Sequence, residues 1–300
     1  MNSLDYKLKQ STFFSDAAKD RIKLNIVLIV LLYFILWMTG LFLGRVVYEG
    51  FSTFFINKLN VEKNLIESFR KILVCGVQIL LFFIWVKFFE KREIRSLGFR
   101  ADAPMKSYIN GMVIGFLAIC LITISLFSLK IITFIGVSQG FSLLSFIPIV
   151  VSWMIQSAAE EIAIRGWLIP KLGYRKTPIT AILITSVVFG ILHLFTKGVT
   201  LLSFSNLILS GAFFAMIAIY CNGIWTVMGL HFMWNLTLGN IFGFPVSGFS
   251  NYGESCVLFK NTPANFLNGG DFGPEGGFIT TLVLLVGIFI IGIKLYKKYK

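Results

Sequence analysis

The sequence predicts an all-α polytopic membrane protein, a bundle of about eight transmembrane helices. Two observations predict it. The 300 residues are 56% hydrophobic and 16% aromatic, with a mean hydropathy of +0.82. The apolar residues also fall into repeated runs close to the length of about 20 residues that a helix needs to cross a bilayer, and a soluble domain of ordinary composition does not show such runs.

Taken in order, residues 1–23 are polar and read as a cytoplasmic N-terminal segment, solvated or lying on a surface. The run 24–44 carries no charge and is long enough to span. It is not a cleaved signal peptide, because it follows a polar stretch, exceeds the usual apolar length and lacks a small-residue cleavage site after it. Residues 46–70 read as a mixed outer loop with room for a short amphipathic helix. Further spans are expected at 72–89, 107–129, 143–159, 178–195, 201–221, 224–243 and 278–293, followed by a basic tail, 296–300. The intervals are too short for a soluble domain. The organisation expected is an N-terminal segment (1–23), N-terminal transmembrane helices (24–140), a catalytic transmembrane core (141–295) and the tail.

The net charge of +13 invites a nucleic-acid reading, and the distribution of charge removes it. With the N-terminus inside, 19 of the 27 Lys and Arg residues fall in inner segments and 8 in outer ones. This is the positive-inside bias, with both termini cytoplasmic. The basic excess then reflects topology and attraction to anionic lipid. A multi-pass protein of a bacterial cell membrane is expected, in contact with lipid and not with nucleic acid. Cys75, Cys120, Cys221 and Cys256 show neither pairing nor metal spacing.

Polar chemistry is scarce within the spans. The chain has two histidines, His193 and His231, both in apolar stretches, and between Asp102 and Glu254 its only acids are Glu160 and Glu161. Ionisable groups in membrane helices cost free energy and mark function by default. Glu161 and Arg165 are i,i+4 neighbours in the favourable acid-before-base order. Glu160 is rotated about 100° from its neighbour, which leaves it for chemistry. His231 and Asn235 share one helix face. Glu160 and His193 lie almost symmetrically about the turn Lys176–Thr177–Pro178, so a hairpin folded there, with 166–177 protruding into the cytoplasm, sets them level. Lys197 then needs an aqueous surrounding.

Several hydrolase chemistries fail on inspection. Neither histidine belongs to an H-E-x-x-H motif, no Asp occurs between 103 and 270, and no serine sits in a G-x-S-G setting. What remains is a glutamate base with histidine and asparagine helpers, or a dispersed metal site.

E-E-x-x-x-R, F-x-x-x-H and H-x-x-x-N, each on its own span, resemble the CPBP family of CAAX prenyl proteases and bacteriocin-processing enzymes, also called Abi. The matching residues are Glu160, Glu161, Arg165, Phe189, His193, His231 and Asn235. Gly166 continues the first motif, and Gly269–Gly277 before the last span also resembles family sequences. Ile164 departs from the aromatic residue that often precedes the arginine. The resemblance covers about 140–295 and implies an intramembrane endopeptidase with a peptide or membrane-protein substrate. Glu160 would be the general base, His193 would orient the attacking water, and His231 with Asn235 would hold the oxyanion. No cofactor is required on this reading. The alternative is a zinc-bound water held by Glu160, His193 and His231, since two histidines and a carboxylate form a known catalytic shell. Two non-enzymatic classes stand beside these: a proton-relaying transporter, and a peptide-binding scaffold or bacteriocin self-immunity protein.

Overall fold

The computed structural model describes residues 3–59, 66, 69–139, 142–249, 254–261, 263 and 265–300. The fold is all-α and polytopic. A short N-terminal strap of α1 (Ser3–Lys9) and α2 (Thr12–Ser15) precedes α3 (Ile26–Leu59). Then come α4 (Arg70–Ile84) with a π-helical extension Trp85–Phe89, and α5 (Pro104–Ser128). Next, α6 (Leu143–Glu161) runs through a π segment Ile162–Leu168 into α7 (Ile169–Arg175). The chain continues through α8 (Pro178–Leu192), α9 (Leu201–Tyr220), α10 (Trp225–Leu236) with a π extension Thr237–Ile241, and α11 (Phe278–Tyr299).

Among the described residues, six helical stretches are long and apolar enough to cross a membrane: 26–59, 70–89, 104–128, 146–175, 201–220 and 278–299. Their outward faces carry exposed apolar side chains such as Phe42 (66%), Ile124 (61%) and Phe289 (68%), a surface that suits lipid and would be a liability in water. Together they make this an integral membrane protein. The other two expected spans are shorter. Helix α8 has 15 residues, about 22 Å at 1.5 Å per residue. Helix α10 has 12 residues and is buried on nearly every side, as a central helix must be.

Four further expectations are corrected. The outer loop expected from residue 46 is helical as far as Leu59, because α3 continues past the apolar run with its polar residues exposed. Residues 60–65, 67 and 68 of that loop lie outside the described residues. The hairpin 166–177 does not protrude as a bare loop, since every residue from Ile162 to Gly173 is buried. Part of its cover is the N-terminal segment, expected to be solvated or lying on a surface, beside Leu97 over Gly166 and Phe82 on Trp167. In that segment Phe13 and Phe14 are 0% exposed, with Phe14 packed on Gly173. The side chain of Asn222, at a left-handed turn, accepts from Phe13 N at 2.9 Å and donates to Thr12 Oγ1 at 2.7 Å. Finally, the strands β1 (Ile132–Val137) and β2 (Val257–Asn261) pair antiparallel, with a bulge between Phe134 and Gly136. Their partners are more than a hundred residues apart, so no hairpin turn announces them.

The strap, the 90–100 loop, the 175–177 turn, Asn222 and the C-terminal end of α11 meet at one end of the bundle. The β-pair and the 270–277 turns lie at the other.

Helices α5 and α10 pack backbone to backbone. A Cβ placed on Gly111, Gly115 or Gly229 would collide with the carbonyl oxygens of Thr226, Leu230 and Tyr108 respectively. The small-xxx-small spacing of Gly111 and Gly115 is what lets membrane helices approach this closely. The contact fixes α10, and with it His231 and Asn235.

Candidate active site

The carboxylates sit where α6 gives way to its π segment. Such widened turns are common at functional sites because they rotate the following side chains out of α register. Here the segment is held by Gly166, whose missing side chain lets the Leu97 carbonyl approach a would-be Cβ to 2.5 Å.

Glu161 and Arg165 are both 0% exposed and pair at 3.0 Å, Nη1 to Oε1. The guanidinium also lies over the rings of Phe189 and Phe214, 4.8 and 5.4 Å from their centroids, a cation–π arrangement that offsets part of its desolvation. The same Glu161 Oε1 accepts from His231 Nδ1 at 2.8 Å. A carboxylate can only accept, so the ring hydrogen sits on Nδ1 and Nε2 faces the other way. There it meets Glu160 Oε2 at 3.9 Å.

Glu160 is held by a residue that the sequence reading missed. Gln156, one turn earlier on α6, donates from Nε2 to Glu160 Oε1. Its Oε1 accepts from Asn235 Nδ2 at 3.1 Å. Gln156 thus fixes Glu160 and ties α6 to α10. The available signal was a long amide four residues before Glu160 in an otherwise apolar stretch. After these bonds, Glu160 Oε2 is buried with no hydrogen-bond partner, as are Glu161 Oε2 and Arg165 Nε.

His193 caps the C-terminal end of α8, and its Nδ1 donates to the Phe189 carbonyl at 2.9 Å, leaving Nε2 with the lone pair. It joins the cluster through Phe189, whose ring lies 4.9 Å from the His193 ring and 6.4 Å from the His231 ring. Lys197 stands beyond the end of α8 in an exposed turn, paired with Asp271 at 3.2 Å. The glycine-rich 269–277 stretch anchors beside the site, where Glu275 Oε1 accepts from the Trp234 indole at 2.8 Å.

The structure therefore brings these residues together as two hydrogen-bonded sets, Arg165–Glu161–His231 and Glu160–Gln156–Asn235, which meet at the 3.9 Å contact of His231 Nε2 with Glu160 Oε2, with His193 one ring away. Among the described residues no group of three or more His, Cys, Asp or Glu side chains is arranged to hold a metal ion.

No curated protein and no solved structure matches this chain. The model of the family described as Type II CAAX prenyl endopeptidase Rce1-like matches residues 142–237. This is about a third of the chain, narrower than the expected 140–295, and it contains every residue of the cluster. Residues 142–237 are thus similar to an Rce1-like domain, a likeness consistent with the CPBP/CAAX protease family.

Proposed function

We propose that the protein is an intramembrane endopeptidase that hydrolyses a peptide bond of a membrane-associated or lipidated peptide, using water activated by Glu160. The likeness to an Rce1-like domain supports the endopeptidase class. The observation that carries the mechanism is Glu160 Oε2, a buried carboxylate oxygen without a partner, 3.9 Å from His231 Nε2. An open acceptor beside a second polar atom is a seat for water.

Glu160 takes a proton from that water as its oxygen attacks the scissile carbonyl. The C–N bond then breaks, and the amine leaves with the proton returned from Glu160. His193 Nε2 orients the water. The oxyanion accepts from Asn235, whose NH2 group has a second hydrogen beyond the one given to Gln156, and from His231 Nε2 in its imidazolium form. Glu161 and Arg165 hold His231 in place. We propose a metal-independent reaction, with both termini cytoplasmic.

The test is cleavage of prenylated and unprenylated peptides by the purified full chain, with Glu160→Gln as control. Turnover that survives exhaustive chelation supports the glutamate mechanism. Turnover lost to chelators and restored by added zinc overturns it while keeping the site. Peptide binding without any cleavage favours the scaffold or immunity role.

A further inference from the structure

A second polar feature lies at the strap end of the bundle, away from the carboxylate cluster. A cavity of about 350 Å³ opens where α4 ends, lined by Lys87, Phe88, Lys91, Arg92 and Glu93. That volume lies in the range of small-ligand sites. We propose that it binds the headgroup of a singly anionic phospholipid.

The floor is built. Arg92 is 4% exposed and gives Nε and Nη2 to Glu90 Oε2 at 2.8 and 2.7 Å, and Nη1 to Ser96 Oγ at 3.1 Å. Its charge is compensated by Glu90, so the rim decides the sign. Lys87 and Lys91 against Glu93 leave one net positive charge, which matches a monoanionic phosphodiester. Lys91 adopts φ +58°, a left-handed conformation that a non-glycine residue holds at a cost. This turn brings Arg92 N back to Val86 O at 3.0 Å and sets both lysines around one opening.

The position selects a lipid over a soluble phosphate. Phe88 and Phe89 are 61% and 55% exposed at the end of a membrane-length helix, and Trp85 stacks on Phe89 at 4.7 Å. Trp85, part-exposed at this helix end, is of the type that marks headgroup depth, and lysines there extend their ammonium groups toward phosphates. An occupant with an acyl tail also covers Phe88, which inorganic phosphate does not.

The experiment titrates the detergent-purified full chain with short-chain phosphatidylglycerol, phosphatidylcholine or inorganic phosphate, reading the unfolding temperature and lipid adducts by native mass spectrometry. Phosphatidylglycerol should raise the unfolding temperature and leave one retained adduct, and the other two should not. K87Q/K91Q should weaken affinity about thirtyfold, a factor of about five per cation. K197Q/K260Q, which removes two cations at the other end, should bind as the parent does. K91G provides a second variant, since glycine suits the left-handed turn while the cation is lost, and should weaken affinity about fivefold. An equal response to phosphatidylcholine or to inorganic phosphate overturns the proposal. So does undiminished phosphatidylglycerol binding by K87Q/K91Q and K91G. These readouts do not depend on peptide cleavage.

Discussion

Two buried charge clusters, each with a Glu–Arg pair, end in opposite states. At the strap end, Glu90 has both oxygens fully engaged. Oε1 accepts from Trp85 Nε1 at 3.0 Å, Trp167 Nε1 at 2.9 Å and Lys171 Nζ, while Oε2 takes the Arg92 guanidinium. Lys171 also pairs with Asp20 at 2.5 Å. In the α6–α10 cluster, Glu160 and Glu161 each keep one oxygen without a partner. An unmet buried acceptor costs free energy, on the order of 1–3 kcal/mol. The fold has enough donors to saturate one carboxylate and leaves the other pair open. Saturation suits a cluster that holds the chain together, and on the proposed mechanism the open oxygen of Glu160 is the one that receives water.

The comparison breaks first at Glu160. Glu160→Gln should reduce turnover by about 10²–10⁴-fold, the range of a general base, with a normal yield of monodisperse protein. Appreciable residual cleavage would remove Glu160 from the chemistry.

Next come the paired charges. Lys171→Met strands Asp20, and Glu161→Gln strands Arg165. Each should cost about 3–5 kcal/mol, as when a buried pair loses one partner. Abundance and unfolding temperature report this. Per folded molecule, Lys171→Met should retain activity and Glu161→Gln should lose it through His231. Normal abundance for Glu161→Gln would show that its pairing with Arg165 is not structural.

Asn235→Ala should lower turnover by about 10²–10³-fold, the loss typical of one oxyanion donor, with a small effect on substrate affinity. A larger change in affinity than in turnover would assign Asn235 to ground-state binding.

The smallest effect is acid sensitivity at the strap end. Burial pushes the Glu90 carboxyl up, but Arg92 and Lys171 outweigh it and hold Glu90 below its ordinary 4.5. Burial likewise raises Asp16, and Lys19 and Arg100 bring it below 3.8. Because both folded values are depressed, their stabilisation is full above about pH 4.5 and is lost as the pH falls through the folded values. Limited proteolysis of residues 3–20 should be flat from pH 7 to 5 and accelerate below pH 4. Acceleration near pH 6 would point to a histidine instead.

The α6–α10 cluster was legible because its residues are rare. A carboxylate pair and two histidines in apolar helices stand out by cost alone, and i,i+4 spacing pairs Glu161 with Arg165. Gln156 was hidden because its amide bridges α6 and α10, 79 residues apart. The strap-end cluster was illegible for the same reason. Lys171 meets Asp20 across 151 positions and Glu90 across 81, and in sequence each looks like one more inner-side charge. The membrane runs revealed the six long helices. They could not reveal that α3 continues beyond the apolar stretch, since the polar residues of an exposed helix and of a loop look alike. The depth of 162–173 depended on what covers it, in part Phe13 and Phe14.

That cover also sets an order of events during synthesis. Residues 3–20 leave the ribosome well before residue 222, yet Phe13 docks on Asn222 and Lys7 reaches the carbonyl of Lys300. The strap therefore waits, with two phenylalanines unburied, until α9 and α10 are in place. Lys171 waits with it, lacking Asp20 until the strap closes. Closure of the strap therefore follows the synthesis of Asn222. A chain stalled before residue 222 lacks the side chain that docks Phe13, and in the folded protein both rings are buried.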